Sequence, residues 1–172
     1  MSLPAIGVVI PCYKAEHTLR QTVESVLQGA PDNLQLVLVE DGSPDGTGAL
    51  CDALAAQDPR VTALHQPNGG ASAARNAGLD TLCRSGAEWV LFVDADDKLD
   101  PQMLSVLRAM LGQTESDLAV CDYYRWNGKP GGVYNRSEGL LKTDAEREEN
   151  AARAKKVLRA DGTEKAGAEA VS

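Results

Sequence analysis

The sequence predicts an α/β fold: a mostly parallel sheet with helices on both faces and a short antiparallel addition near 118–136. Three observations carry this. Short apolar runs rich in β-branched residues alternate with stretches whose apolar residues recur at helical spacing. Clusters of Gly, Pro, Asn and Asp separate them as turns. The runs are near-continuously apolar, as strands covered on both faces are.

The elements follow in order. Ile6 to Ile10 reads as a buried strand that ends at Pro11. Leu19, Val23, Val26 and Leu27 give a helix that stops at Gly29. Leu34 to Val39 is a second strand, closed by Glu40-Asp41-Gly42-Ser43-Pro44. A helix with Leu50 and Leu54 on its inner face runs up to Asp58-Pro59, and Val61 to Leu64 is the third strand. Asn68-Gly69-Gly70 precedes a helix from Ala71 to Cys83, and Trp89 to Val93 is the fourth strand. Asp100 as N-cap and Pro101 at the first helical position open a helix with Met103, Leu104, Leu107, Met110 and Leu111 as its stripe. Leu118 to Tyr124 is a fifth strand, and Val133-Tyr134 returns antiparallel after the turn-rich 128–132.

Length and charge bound the organisation. The chain has 172 residues and a net charge of −8, which suits one domain of roughly 100–200 residues. All of that charge lies in residues 1–141, and all seven aromatic residues precede position 135. Residues 1–141 therefore read as the folded domain. Residues 142–160 form an Ala- and charge-rich stretch compatible with a helix, with Thr143 and Glu146 as a capping box. Residues 161–172 read as a disordered tail. The acidic balance argues against nucleic acid and against an anionic membrane surface as partners. No apolar stretch is long enough to span a bilayer, and the N-terminus lacks the pattern of a signal peptide. Cys12, Cys51, Cys83 and Cys121 have no metal-ligand spacing and read as reduced thiols of a cytoplasmic protein.

Ligands of open parallel sheets bind at the carboxyl ends of the strands. Here those ends read Pro11-Cys12-Tyr13-Lys14, Glu40-Asp41-Gly42-Ser43 and Asp94-Ala95-Asp96-Asp97. Asp41, Asp94, Asp96 and Asp97 crowded together would repel one another, and a divalent cation is the ordinary remedy. Oxygen ligands of this kind suit magnesium or manganese, which then carry substrate phosphates. A lone Asp after a strand is most often a turn residue, and Asp97 and Asp100 are read that way. Tyr13 suits stacking on a flat ring, and Arg75 suits a phosphate contact or a surface ion pair. His17 and His65, without partners at metal spacing, are read as structural. The dinucleotide fingerprint fails because position 51, where its third glycine would fall after Gly46-Thr47-Gly48, is Cys.

Four stretches in order resemble the family 2 glycosyltransferases, whose fold is the Rossmann-like GT-A fold. They are Val8-Val9-Ile10-Pro11-Cys12-Tyr13-Lys14, Glu40-Asp41-Gly42-Ser43, Asn68 to Gly78, and Phe92-Val93-Asp94-Ala95-Asp96-Asp97, the last resembling the family's D-x-D motif. The resemblance covers about residues 5–125. It implies transfer of a sugar, with inversion, from a nucleotide-diphospho-sugar, UDP-linked, to a glycan, lipid-linked or other acceptor, as in polysaccharide biosynthesis. It places Pro11, Tyr13, Glu40, Asp41, Arg75, Asp94 and Ala95 at the nucleotide-sugar, with Tyr13 against the base and Asp41 accepting a hydrogen bond from it. It places Asp96 on a Mn2+ or Mg2+ ion. Lys14 stands where the family has Asn, and Glu40 where it has Asp. The resemblance also implies a later half that supplies the acceptor site and the catalytic base, and the chain ends 75 residues after Asp97. A non-catalytic or truncated nucleotide-sugar-binding module is the alternative, and a homo-oligomer or partner chain remains open. A phosphohydrolase built on D-x-D is disfavoured by Lys98, where such enzymes want Thr or Val.

Overall fold

The computed structural model describes residues 5–113, 124–126 and 133–135. The chain divides into two units, Met1–Ala119 and Val120–Ser172.

In the first unit the order is β1 (Ile6–Cys12), α1 (Leu19–Leu27), β2 (Gln35–Asp41), α2 (Thr47–Gln57), β3 (Val61–Gln66), α3 (Ala71–Ser85), β4 (Trp89–Phe92) and α4 (Met103–Gln113). The four strands form one parallel sheet in the order β3-β2-β1-β4. The chain builds outward from β1 to β2 and β3, then crosses back to lay β4 on the other side of β1. That reversal leaves a crevice beside the end of β1.

Strands β1 and β2 bury both faces, while β3 and β4 at the edges are only partly covered. Val8, Ile10, Leu36 and Leu38 pack on the side of α1 and α2. Val9, Val37 and Val39 pack with Ala74 and Leu82 of α3 on the other. Full burial of a Val, Leu or Ile side chain contributes roughly 1.5–3 kcal/mol, so two faces explain the unbroken apolar runs. Helix α3 lies so close to the sheet that a Cβ at Gly78 would stand 2.4 Å from Val9 Cγ1.

Strand β1 runs two residues beyond the expected end, through Pro11 to Cys12. The reason is parity. Val93 N donates to Val9 O, so the odd residues of β1 turn their backbone groups toward β4. The β1–β4 pairing ends at Val9↔Phe92, so Pro11 lies beyond it and its missing N–H costs no ladder bond. Strands β2 and β3 likewise extend past the apolar run, to Asp41 and Gln66. Helix α4 begins at Met103, after a turn in which Gln102 N donates to Asp100 Oδ1. Asp100 therefore closes the turn before the helix, which starts two residues later than the Pro101 expected.

In the second unit, β5 (Tyr124–Trp126) pairs antiparallel with β6 (Val133–Asn135). The antiparallel return at Val133-Tyr134 is as expected, while β5 runs two residues past the expected strand end at Tyr124. The body of the strand expected from Leu118, the helix over 142–160 and the tail over 161–172 lie outside the described residues.

Candidate nucleotide-sugar site

The carboxyl ends of β1, β2 and β4 and the start of α3 enclose an open cleft of about 660 Å3. That volume is usual for a small-molecule site. Pro11, Tyr13, Asp41, Arg75, Asp94, Ala95 and Asp96 all line it, together with Lys14, Thr18, Asn68, Gly70, Ala71 and Ala74. Glu40 does not line it; its side chain turns away toward His65.

Tyr13 is 47% exposed at the wall formed by the end of β1. The Lys14 ammonium lies 5.4 Å from the centre of the Tyr13 ring, a cation–π distance. Lys14 has a φ of 51°, the left-handed region that non-glycine residues rarely occupy.

Asp41 is nearly inaccessible, at 3% exposure. Its Oδ1 accepts from Gln66 Nε2 at 2.7 Å and Gly69 N at 2.8 Å, and its Oδ2 from Gly70 N at 2.8 Å. Burial pushes its carboxyl up, but these three donors outweigh burial and hold it below the usual Asp value. Three donors use three of the roughly four lone-pair positions of a carboxylate, which leaves one. The same bonds fix Gly70, whose φ of 84° turns the chain into α3. No side chain caps that helix, so the first-turn N–H groups and the positive end of the helix dipole are available to an anion.

Arg75, on the second turn of α3, donates to Asp94 Oδ1 at 2.7 Å. Both are substantially exposed, so this ion pair adds little stability; its effect is to hold the guanidinium at the cleft. Helix α1 fixes the turn after β4. Thr22 Oγ1 donates to Ala95 O at 2.9 Å, and Leu99 N donates to Ser25 Oγ at 3.1 Å. Asp97 N closes the turn on Asp94 O at 3.0 Å. Burial first, and the charges of Asp96 and Asp94 next, raise the Asp97 carboxyl above its usual range.

The crowding of four carboxylates expected from the sequence is not what forms. Asp41 is occupied by the Gly69–Gly70 turn, and only Asp94, Asp96 and Asp97 share a loop. Among the described residues no three His, Cys, Asp or Glu side chains converge as a metal site. Asp96 is exposed, lines the cleft, and has no hydrogen-bond or ion-pair partner among the described residues.

Residues that sequence reasoning did not single out also shape the cleft. Thr18, Ala74 and Ala71 have no chemical signature of their own, and only the helix starts they occupy could have pointed to them. His65, read as structural, lies between two carboxylates: Nδ1 is 3.4 Å from Glu40 Oε2 and Nε2 is 2.8 Å from Asp52 Oδ1. Its raised pKa comes first from Asp52, with Glu40 adding to it against the opposing effect of burial.

A parallel α/β sheet with a nucleotide-sized cleft at its switch point is the architecture of the GT-A glycosyltransferases. The family model for glycosyl transferase family 2 matches residues 7–167, and the chain belongs to that family. It is 35% identical over 130 residues to glycosyltransferase GlyG of Streptococcus pneumoniae, covering 75% of this chain and 42% of that protein. It is 39% identical over 128 residues to polyprenol monophosphomannose synthase of Mycolicibacterium smegmatis, covering 73% and 46%. The crystal structure of S. aureus TarS 1–349 in complex with UDP-GlcNAc superposes with a TM-score of 0.65 at 25% identity, over 73% of this chain and 36% of that one. The chain thus spans less than half the length of these three relatives. No helix among the described residues is long and apolar enough to cross a membrane.

Proposed function

We propose that the cleft binds a nucleotide-diphospho-sugar, UDP-linked, and that the chain serves an inverting glycosyl transfer from it in the cytoplasm, within glycan or polysaccharide assembly. One observation carries this: Tyr13, the free position on Asp41, the uncapped start of α3, and the Asp94–Asp96 turn meet in one cleft. Each matches a different part of such a donor. The Tyr13 ring stacks on the base, which tolerates any flat ring. Asp41 accepts the base N–H, which selects a base that offers a donor there. The N–H groups of Ala71 and its neighbours, with Arg75, receive the diphosphate. Asp94 accepts from sugar or ribose hydroxyls. The similarity to a UDP-GlcNAc-bound structure supports the UDP assignment.

The acidic turn suits a divalent cation such as Mn2+ or Mg2+. Asp96 would hold it, with Asp94 beside it and donor phosphates and water completing the shell, as magnesium sites commonly do. Bound there, the cation supplies positive charge to the diphosphate that leaves. Three carboxylates on one turn, Asp94, Asp96 and Asp97, repel one another, and a cation relieves that repulsion.

Titration calorimetry with UDP, with and without Mn2+, tests the reading. Binding strengthened by Mn2+ is expected. No binding in either condition would overturn it.

A further inference from the structure

The donors that shape the Tyr13 wall do not stop at the cleft. Lys14 N donates to Ser43 Oγ at 3.2 Å. Ser43 N donates in turn to Glu40 Oε1. Glu40 Oε2 faces His65 Nδ1 at 3.4 Å, and His65 Nε2 faces Asp52 Oδ1 at 2.8 Å. The path runs from an edge-strand histidine to the strained Lys14 backbone and the Tyr13 ring that Lys14 covers. A non-glycine residue at positive φ persists only where its surroundings hold it; the Ser43 bond at the end of this path is one such hold, beside Ala15 N donating to Thr47 Oγ1 at 2.8 Å.

We propose that His65, bridging Glu40 and Asp52, is a positioning residue for the nucleotide wall, so that donor binding weakens when His65 loses its proton. The inference rests on the donor-site reading above. A protonated imidazole has two N–H donors, one for each carboxylate. A neutral one has a single N–H, and the shorter Asp52 contact keeps it. The Glu40 contact is then the one lost, and Glu40 is freed to follow Ser43 or to swing away. Glu40 from β2 and Asp52 from α2 are the carboxylates facing His65. The other titratable groups nearby are the buried thiols Cys12 of β1 and Cys51 of α2. The Cys51 thiol and burial push the Cys12 thiol far up, so Cys12 stays neutral throughout.

The sign follows from the geometry. Asp52 first, and Glu40 with it, raise the His65 pKa above that of a free imidazole, so the bridge is intact at low pH and is lost as pH rises through the raised value. The Asp of the family motif, one methylene shorter, stands here as Glu40, and the extra reach is what brings its carboxylate to His65.

The experiment is calorimetric binding of UDP-N-acetylglucosamine with Mn2+ at about pH 5.5 and about pH 8, across the window in which imidazoles titrate. The phosphates of this donor carry no proton to lose in that range. Wild type is expected to bind about fivefold more weakly at the higher pH, one hydrogen bond's worth. His65→Gln, on a half-exposed edge position that should fold, is expected to bind equally at both. Asp52→Asn is expected to move the transition to lower pH, a shift that a merely structural histidine would not give. Binding at both pH values without any pH dependence in wild type, or a dependence retained in His65→Gln, overturns the positioning role. Absence of binding at any pH overturns the donor-site reading instead.

Discussion

Replacing Asp41 by Asn removes one charge and one acceptor from the turn that opens α3. The Asn carbonyl, placed where Oδ1 is, keeps the bonds from Gln66 and Gly69. Its amide then meets Gly70 N, and two donors face each other at the 2.8 Å where a carboxylate now accepts. A hydrogen bond to a charged group is worth roughly 1.5–3 kcal/mol, and a buried donor left unpaired costs about 1–3 kcal/mol. These overlap, and water can reach the exposed Gly70, so the expected loss is about 2 kcal/mol. Urea unfolding at neutral pH should show a lower midpoint with an unchanged slope. Because Asp41 titrates below its unfolded value, its contribution is present above the ordinary Asp pKa and lost as pH falls through the folded one. The gap between wild type and Asp41→Asn should therefore close in acid. UDP affinity should fall at least about tenfold, since the displaced turn carries Gly70, Ala71 and Arg75. A variant as stable as wild type at neutral pH would refute the reasoning.

Three further outcomes are expected. Asp96→Ala should abolish the Mn2+ dependence of UDP binding while circular dichroism stays that of wild type; a retained dependence would place the cation elsewhere. Gly78→Ala should cost about 1–3 kcal/mol by overpacking against Val9. Adding Val9→Ala should recover part of that loss, and a strictly additive double mutant would show that the two residues do not touch. Asp58 holds the turn before β3 through a two-pronged pair with Arg60 and its backbone N–H, and these bonds lower its pKa to about 2. Its stabilisation is present above the ordinary Asp value and is lost as pH falls through about 2. Asp58→Asn should lower the unfolding free energy from urea titration by about 1 kcal/mol at neutral pH, discounted for partial exposure, with the difference shrinking as pH falls toward 2.

The centre of the sheet was legible because the runs of β1 and β2 are buried on both faces, so Val8 and Val9 needed no alternation to be seen as strand. The end of β1 was not, since whether Pro11 interrupts a ladder depends on how far β4 extends. The cleft was legible where motif and geometry coincide: Tyr13, Asp94 and Asp96 sit at strand ends, and strand ends share an edge. Glu40 was misjudged as cleft-lining because adjacent strand residues point to opposite faces, and the sequence does not say which of Glu40 and Asp41 faces the donor. His65 seemed partnerless because its partners come from strand register, Glu40↔His65, and from the facing turn of α2. Neither is encoded in local spacing.

The order in which the sheet is assembled has a consequence for the chain in the cell. Strand β4 joins β1 from far along the sequence; Ala5 and Glu88, 83 positions apart, already hydrogen-bond at its foot. The walls from β1, β2 and α3 are synthesised before the acidic turn that completes the cleft. On the proposed donor site, a nucleotide-sugar held by all of them would bind only the finished sheet, and at a hundred times its dissociation constant would add about 2.7 kcal/mol to that state.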